Sequence, residues 1–168
     1  MTDYRTIIRA WWSEHVGARD KPVARALAAR LNRPGVIEAL CEPSVHALAG
    51  RLGIRAPERL VPLVQVLAAV RVDAGGPLAR RLGGPEPALS RLRFQRLIQS
   101  EGFELATLLR RSLPMVERAC DVGRLGADIL YWGDGVRARW CFEYFGALPP
   151  GDDTPKEETQ DADEGARA

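Results

Sequence analysis

The stretch Leu89–Leu113, LSRLRFQRLIQSEGFELATLLRRSL, decides how this chain is read. It contains two short helical patterns. In the first, Phe94 groups with Leu97 and Ile98, Arg93 and Arg96 share a face with Ser100, and Arg91 lies on another side. In the second, Leu105, Ala106, Leu108, Leu109 and Leu113 form one apolar arc. Arg110 and Arg111 take the polar arc with Glu104 and Thr107, and Pro114 is expected to end the helix. Arginines on helix faces with no catalytic group among them point to a polyanion, and nucleic acid is the commonest one.

The pattern continues on both sides. Toward the C-terminus, Leu125, Ile129 and Trp132 make a stripe, and Gly133 breaks the chain. Asp134 is predicted to cap a last helix whose core face is Val136, Trp140, Cys141, Tyr144 and Phe145. Toward the N-terminus, Pro57 opens a long apolar helix to about Val72, with Pro62 expected to kink or delay it. Earlier still, Tyr4, Ile7, Ile8, Trp11, Trp12 and His15 share one helical face, capped by Thr2 or Asp3. Asp20 is predicted to cap a second helix with Pro22 in its first turn, ended by Arg33-Pro34-Gly35. Pro34-Gly35 and Glu42-Pro43-Ser44 bracket short helical pieces, the latter opening SVHALAGRLG. Strand signals are almost absent. The expected fold is all-α, a compact helical bundle over residues 1–150 in two helical halves, with the break at 73–77 as the hinge between them.

Composition narrows the function. With 168 residues and 46% apolar content the chain can bury one core. No apolar run reaches the roughly 18 residues of a membrane span, and MTDYRTIIRAWWSEH lacks a signal-peptide pattern. A cytoplasmic protein is expected. The formal charge of +2 hides an asymmetry: residues 151–168 carry seven acids and two bases, leaving residues 1–150 at +7. That acidic end is poor in apolar residues and is predicted to be a disordered, solubilising tail, although it could also compete with nucleic acid for the basic face. Its removal from Gly151 onward is expected to leave the melting temperature of the protein unchanged, a measurement by thermal denaturation.

No catalytic constellation is legible. His15 and His46 are the only histidines, and neither has a Cys or His partner at ligand spacing, so structural or partner-contact roles are favoured over a metal. Cys41, Cys120 and Cys141 form no CxxC pair and are read as small core residues in a reducing compartment. GxSxG, GxxxxGK[ST] and GxGxxG are all missing, so neither a serine hydrolase nor a nucleotide-binding enzyme has a motif to rest on. No cofactor and no enzymatic activity are expected. On periodicity alone the arginines are equally well read as a solvated face with local pairs from Glu104 to Arg110 or Arg111. Base stacking would need exposed aromatics; Phe103 qualifies, whereas Phe94 groups with the core. The chemistry is that of backbone binding without sequence readout.

At these residues the chain resembles a known family, the small subunit of the type I-E CRISPR surveillance complex Cascade, often called CasB. The resemblance rests on LARRL at Leu78–Leu82, RLRFQRLIQSE at Arg91–Glu101, LLRRSLPMV at Leu108–Val116 and RLGADILYWGDGVRARWCFEYF at Arg124–Phe145. Trp11, ARALAARLNRP at Ala24–Pro34 and the helix start at Pro57 fit as well, so it spans roughly residues 4–146. It implies an all-α, non-catalytic subunit present in two copies, beside other Cascade subunits and crRNA, stabilising the R-loop with the displaced non-target DNA strand along basic residues. By position, the family's basic sites fall on Arg30, Arg93, Arg110 and Arg111, and face geometry adds Arg96. Gln99 stands where the family often has a further basic residue. A free-standing helical DNA-binding regulator is the alternative, for which the helix pair around Gly102 superficially qualifies, but few Asn or Gln base readers accompany its arginines.

Overall fold

The computed structural model describes residues 3–147; the acidic tail at 151–168 lies outside the described residues. Ten α-helices carry this part of the chain: α1 (Tyr4–His15), α2 (Pro22–Leu31), α3 (Val36–Leu40), α4 (Pro43–Leu52) and α5 (Pro57–Ala69), then α6 (Leu78–Leu82), α7 (Arg91–Gln99), α8 (Gly102–Ser112), α9 (Val122–Leu130) and α10 (Asp134–Tyr144). Two strands of two residues each, β1 (Val72–Asp73) and β2 (Ala119–Cys120), pair in parallel. They had no sequence signal, since two residues are too few to show alternation. No helix among the described residues is long and apolar enough to cross a membrane.

The architecture follows from α5. After its exposed first turn, Pro57-Glu58-Arg59, its sequence is apolar nearly all round and offers no solvent face, and every residue from Leu60 to Val70 is buried. The helices α2, α3, α4, α8 and α9 pack around it. Gln65, its one buried polar residue, donates from Nε2 to the Arg33 carbonyl at 3.4 Å. The helix runs on through Pro62. Proline removes the bond to the carbonyl four residues back, and Glu58, which carries that carbonyl, is an exposed residue in the first turn.

On the far side of the core, α1 lies against α9. Two glycines permit the close approach: a Cβ at Gly126 would meet Ile8 at 2.7 Å, and one at Gly123 would meet the Arg5 carbonyl oxygen at 2.7 Å. The tryptophans then pin elements together through their indole N–H groups. Trp11 donates to the Ser44 carbonyl at 2.7 Å, Trp12 to that of Leu67 at 3.0 Å and Trp132 to that of Ser100 at 2.9 Å. Buried apolar residues from both sides of the 73–77 segment belong to one cluster. That segment is bonded in both directions: Asp73 accepts from Arg9 Nε at 2.9 Å and from the Val122 amide at 3.0 Å, and the Gly76 carbonyl accepts from the Asp121 amide at 2.9 Å.

Helix starts differ from expectation in instructive ways. Asp3 caps α1, accepting from the Arg5 and Thr6 amides at 3.1 and 3.4 Å. Asp20 does not cap α2; Lys21 holds the N-cap and makes no side-chain bond there. Pro22 at the first helical position presets the backbone and has no N–H to satisfy, so a side-chain cap is dispensable. Asp134 is likewise the first residue inside α10, with Gly133 at the N-cap. Phe145 departs from the predicted core face, being 61% exposed. It lies beyond the last turn of α10, with its ring 6.0 Å from the Arg91 guanidinium carbon. Cys41 is exposed rather than core, while Cys120 is buried and its thiol pushed up to about 12, chiefly by burial.

Between α9 and α10 the core contains charge. Asp128 and Glu143 are buried. The Arg139 guanidinium donates to Asp128, and that of Arg124 donates to Glu143. Trp140 Nε1 completes the Asp128 shell at 2.8 Å, and Arg139 Nε approaches Glu143 at 3.8 Å. Burial pushes the Glu143 carboxyl up, and the two guanidinium groups pull it back toward ionisation.

Candidate nucleic-acid interface

The arginine face is built on α7 and α8. Ser90 caps α7, its hydroxyl accepting from the Arg93 amide at 3.4 Å. Phe94 and Leu97 turn inward, Phe94 stacking on Tyr144 with ring centroids 3.8 Å apart and planes 7° from parallel. Arg91, Arg93 and Arg96 are consequently left exposed. On α8 the buried residues are Leu105, Ala106, Leu109 and Ser112, leaving Arg111 exposed and Arg110 half-buried.

Two neighbouring concavities result. The first, of about 310 Å³, has Arg93, Arg96 and Arg111 on its walls and Leu97 and Leu108 as apolar lining. The second, of about 570 Å³, is walled by Arg71, Arg110, Arg111 and Arg118. Arg111 belongs to both, and among the described residues no carboxylate lines either. Arg110 donates one guanidinium N–H to the Asn32 carbonyl, its Nε finds no partner, and burial holds its pKa below the ordinary arginine value. Glu104 approaches Arg96 at 3.9 Å, across the helix pair, in place of the expected local pairing with Arg110 or Arg111. Both side chains are mostly exposed, so this pair is worth little and leaves Arg96 available.

Arg30 stands apart. It lines neither concavity and forms a two-point pair with Glu42, Nη2 lying 3.1 Å from Oε2. The hydrogen bond to Glu42 raises its pKa. The structure therefore brings together Arg93, Arg96, Arg110 and Arg111, and leaves Arg30 on the α2–α4 side with its charge already engaged. Gln99 is exposed beside Arg91 and Phe145. Of the two aromatics weighed for stacking, Phe103 is 41% exposed and Phe94 only 3%.

Arg71 and Arg118 were not foreseen. Arg71 follows the end of α5, and Arg118 lies far along the chain. The short strands bring them together: the Arg71 and Val72 amides both donate to the Arg118 carbonyl, at 2.8 and 3.2 Å. Sequence periodicity has no means of reporting such a pairing. Glu117 and Arg118 are consecutive non-glycine residues in the left-handed region, with φ of 59° and 54°. Strain of this kind costs about 1–3 kcal/mol per residue and concentrates at functional sites. Among the described residues no group of three His, Cys, Asp or Glu side chains could hold a metal ion.

The helical order and the glycine-mediated packing define an all-α fold that carries an arginine face. Residues 28–145 match the family model described as CRISPR-associated protein Cse2, and the chain belongs to that family. This is the small-subunit family to which the sequence resemblance pointed, under its other name. A CRISPR-associated protein Cse2 from Thermus thermophilus is 35% identical over 68 residues, a match that spans 39% of this chain and 40% of that relative. A chain in the crystal structure of E. coli Cascade bound to a PAM-containing dsDNA target shares the fold. Its TM-score is 0.59 at 21% identity, covering 86% of this chain and 95% of that one.

Proposed function

We propose that this protein is a non-catalytic subunit of a type I-E CRISPR surveillance complex, Cascade. There it contacts the sugar-phosphate backbone of the displaced non-target strand and so stabilises the R-loop during antiviral defence. Other Cascade subunits, crRNA and a second copy of the chain are its partners, and the cytoplasm is its compartment. One observation carries the reading. A Cse2-family chain presents two adjacent concavities joined by Arg111 and, among the described residues, lined by no carboxylate. Guanidinium groups match phosphate bidentately, and each neutralised phosphate releases counterions. Arg93, Arg96, Arg110 and Arg111 form the track; Arg30 contributes only if a phosphate displaces Glu42.

The isolated protein is expected to bind single-stranded DNA weakly and without sequence preference. Plotted as log K against log[salt], binding should fall with a slope of about −0.7 per phosphate neutralised. Affinity insensitive to salt would exclude this mechanism. Strong discrimination among unrelated oligonucleotides would favour a free-standing regulator instead. Co-expression with the remaining Cascade genes should yield a particle containing crRNA and this chain; failure to co-purify would overturn the assignment to the complex.

A further inference from the structure

Most of the arginines whose side chains are ordered against a neighbour have a carboxylate or a carbonyl to bond. In the second concavity, among the described residues, only Arg110 has such a bond, to the Asn32 carbonyl. Arg71, Arg110, Arg111 and Arg118 wall this concavity, and among the described residues none of them is in an ion pair. Behind this wall lies Arg19, half-buried, with Nη2 donating to the Ala68 and Val70 carbonyls at 2.7 and 3.4 Å. The Nε groups of Arg19 and Arg110 are buried without a partner. Burial first, and then the charges of Arg71 and Arg118, hold the Arg19 pKa below its ordinary value. Two strained left-handed residues fix the backbone that carries Arg118. Like charges gathered around partly desolvated guanidinium groups repel one another. A fold gains nothing from that arrangement by itself; an anion placed among them reverses its sign.

We propose that Arg71, Arg110, Arg111 and Arg118 form a phosphate-binding pocket for a single nucleic-acid strand, whose charges repel one another among the described residues and are compensated when the strand is bound. The inference rests on the reading of the α7–α8 face as a nucleic-acid interface and extends it to two residues, Arg71 and Arg118, outside those helices. It carries a signature that a solvated surface lacks. Neutralising part of the pocket stabilises the free protein and weakens binding at the same time.

The test is the pair Arg71→Gln and Arg118→Gln together, which keeps the side-chain stems and removes two charges. Without DNA the variant should melt about 2–4 °C above wild type, and the gain should shrink as added salt screens the repulsion. Binding of a labelled oligothymidine should weaken, with a salt slope shallower by about 0.7 for each phosphate left without its guanidinium. Thr107→Glu is the second variant, since Thr107 is exposed on the pocket wall and the change retains every arginine. It should likewise raise the melting temperature and weaken binding, and it carries the test if the double variant does not fold. Inorganic phosphate at matched ionic strength should displace the oligonucleotide better than chloride, because guanidinium groups match phosphate bidentately; displacement no better than by chloride would reduce the pocket to diffuse charge attraction and overturn the assignment. If wild type binds with a steep salt slope and neither variant changes it, the pocket is wrong and the α7–α8 face stands. If wild type does not bind at all, both fail.

Discussion

Replacing Arg93, Arg96, Arg110 and Arg111 together by alanine is expected to cut single-stranded DNA affinity at least tenfold while leaving the helical content intact. One hydrogen bond to a charged group is worth about 1.5–3 kcal/mol when well formed, and less where solvent screens it. Removing four such groups therefore exceeds tenfold even after heavy discounting. Arg93, Arg96 and Arg111 are exposed, so their removal costs little beyond the packing of their stems. Arg110 is the costliest of the four, because the Asn32 carbonyl loses its donor. In an assembled complex the guide would still pair with its target, so binding should weaken for all target sequences alike. Filter binding and interference assays check this. Wild-type protection of the displaced strand by a folded, assembled quadruple variant would reduce these arginines to a solvated face. Leu109→Asp is the opposing control: Leu109 is fully buried against the core, and an unpaired carboxylate there should unfold the domain.

Arg124→Met is expected to destabilise the protein by about 3–5 kcal/mol at neutral pH, because it strands the buried Glu143 carboxylate. Burial already pushes that carboxyl up, opposed first by Arg124 and then by Arg139. Removing Arg124 raises the folded-state pKa further above the unfolded value. The folded variant then holds a proton that the unfolded chain releases, so its stability falls as pH rises through the ordinary carboxylate range and toward the folded value. The deficit should be smallest in mild acid and largest at neutral pH. Urea denaturation of Arg124→Met across that range measures it, and Glu143→Gln in the same background should recover part of the loss. A deficit independent of pH would show that Arg124 acts through packing alone.

The helices were legible because their signals are local. The apolar arc of α8, the encircling apolarity of α5 and the proline starts of α2, α4 and α5 each need only a few residues of context. Arg93, Arg96, Arg110 and Arg111 lie on two consecutive helices, but periodicity alone reads them equally well as a solvated face; the family resemblance, with face geometry for Arg96, singles them out. Arg71 and Arg118 could not be grouped with them, since a two-residue pairing distant in sequence brings them there. The buried charge between α9 and α10 was hidden for a related reason. Arg124, Asp128, Arg139 and Glu143 look like ordinary surface charges on amphipathic helices until the two helices are set face to face. Arg110 and Arg111 stand six and seven residues from Glu104, beyond the three- or four-residue spacing at which side chains on one helix meet, whereas α7 lies close enough to supply Arg96.

The enclosure of α5 beyond its first turn has a consequence for how the protein is made. From Leu60 onward the helix is apolar on nearly every side and is covered by α2, α3 and α4 from before it in the chain and by α8 and α9 from after it. On a ribosome adding about 5–20 residues per second, α5 leaves the exit tunnel seconds before the segments that roof it. During that interval a greasy, unroofed helix faces water. A nascent chain stalled before α8 should therefore engage chaperones and precipitate on release, whereas one extended past α9 should not.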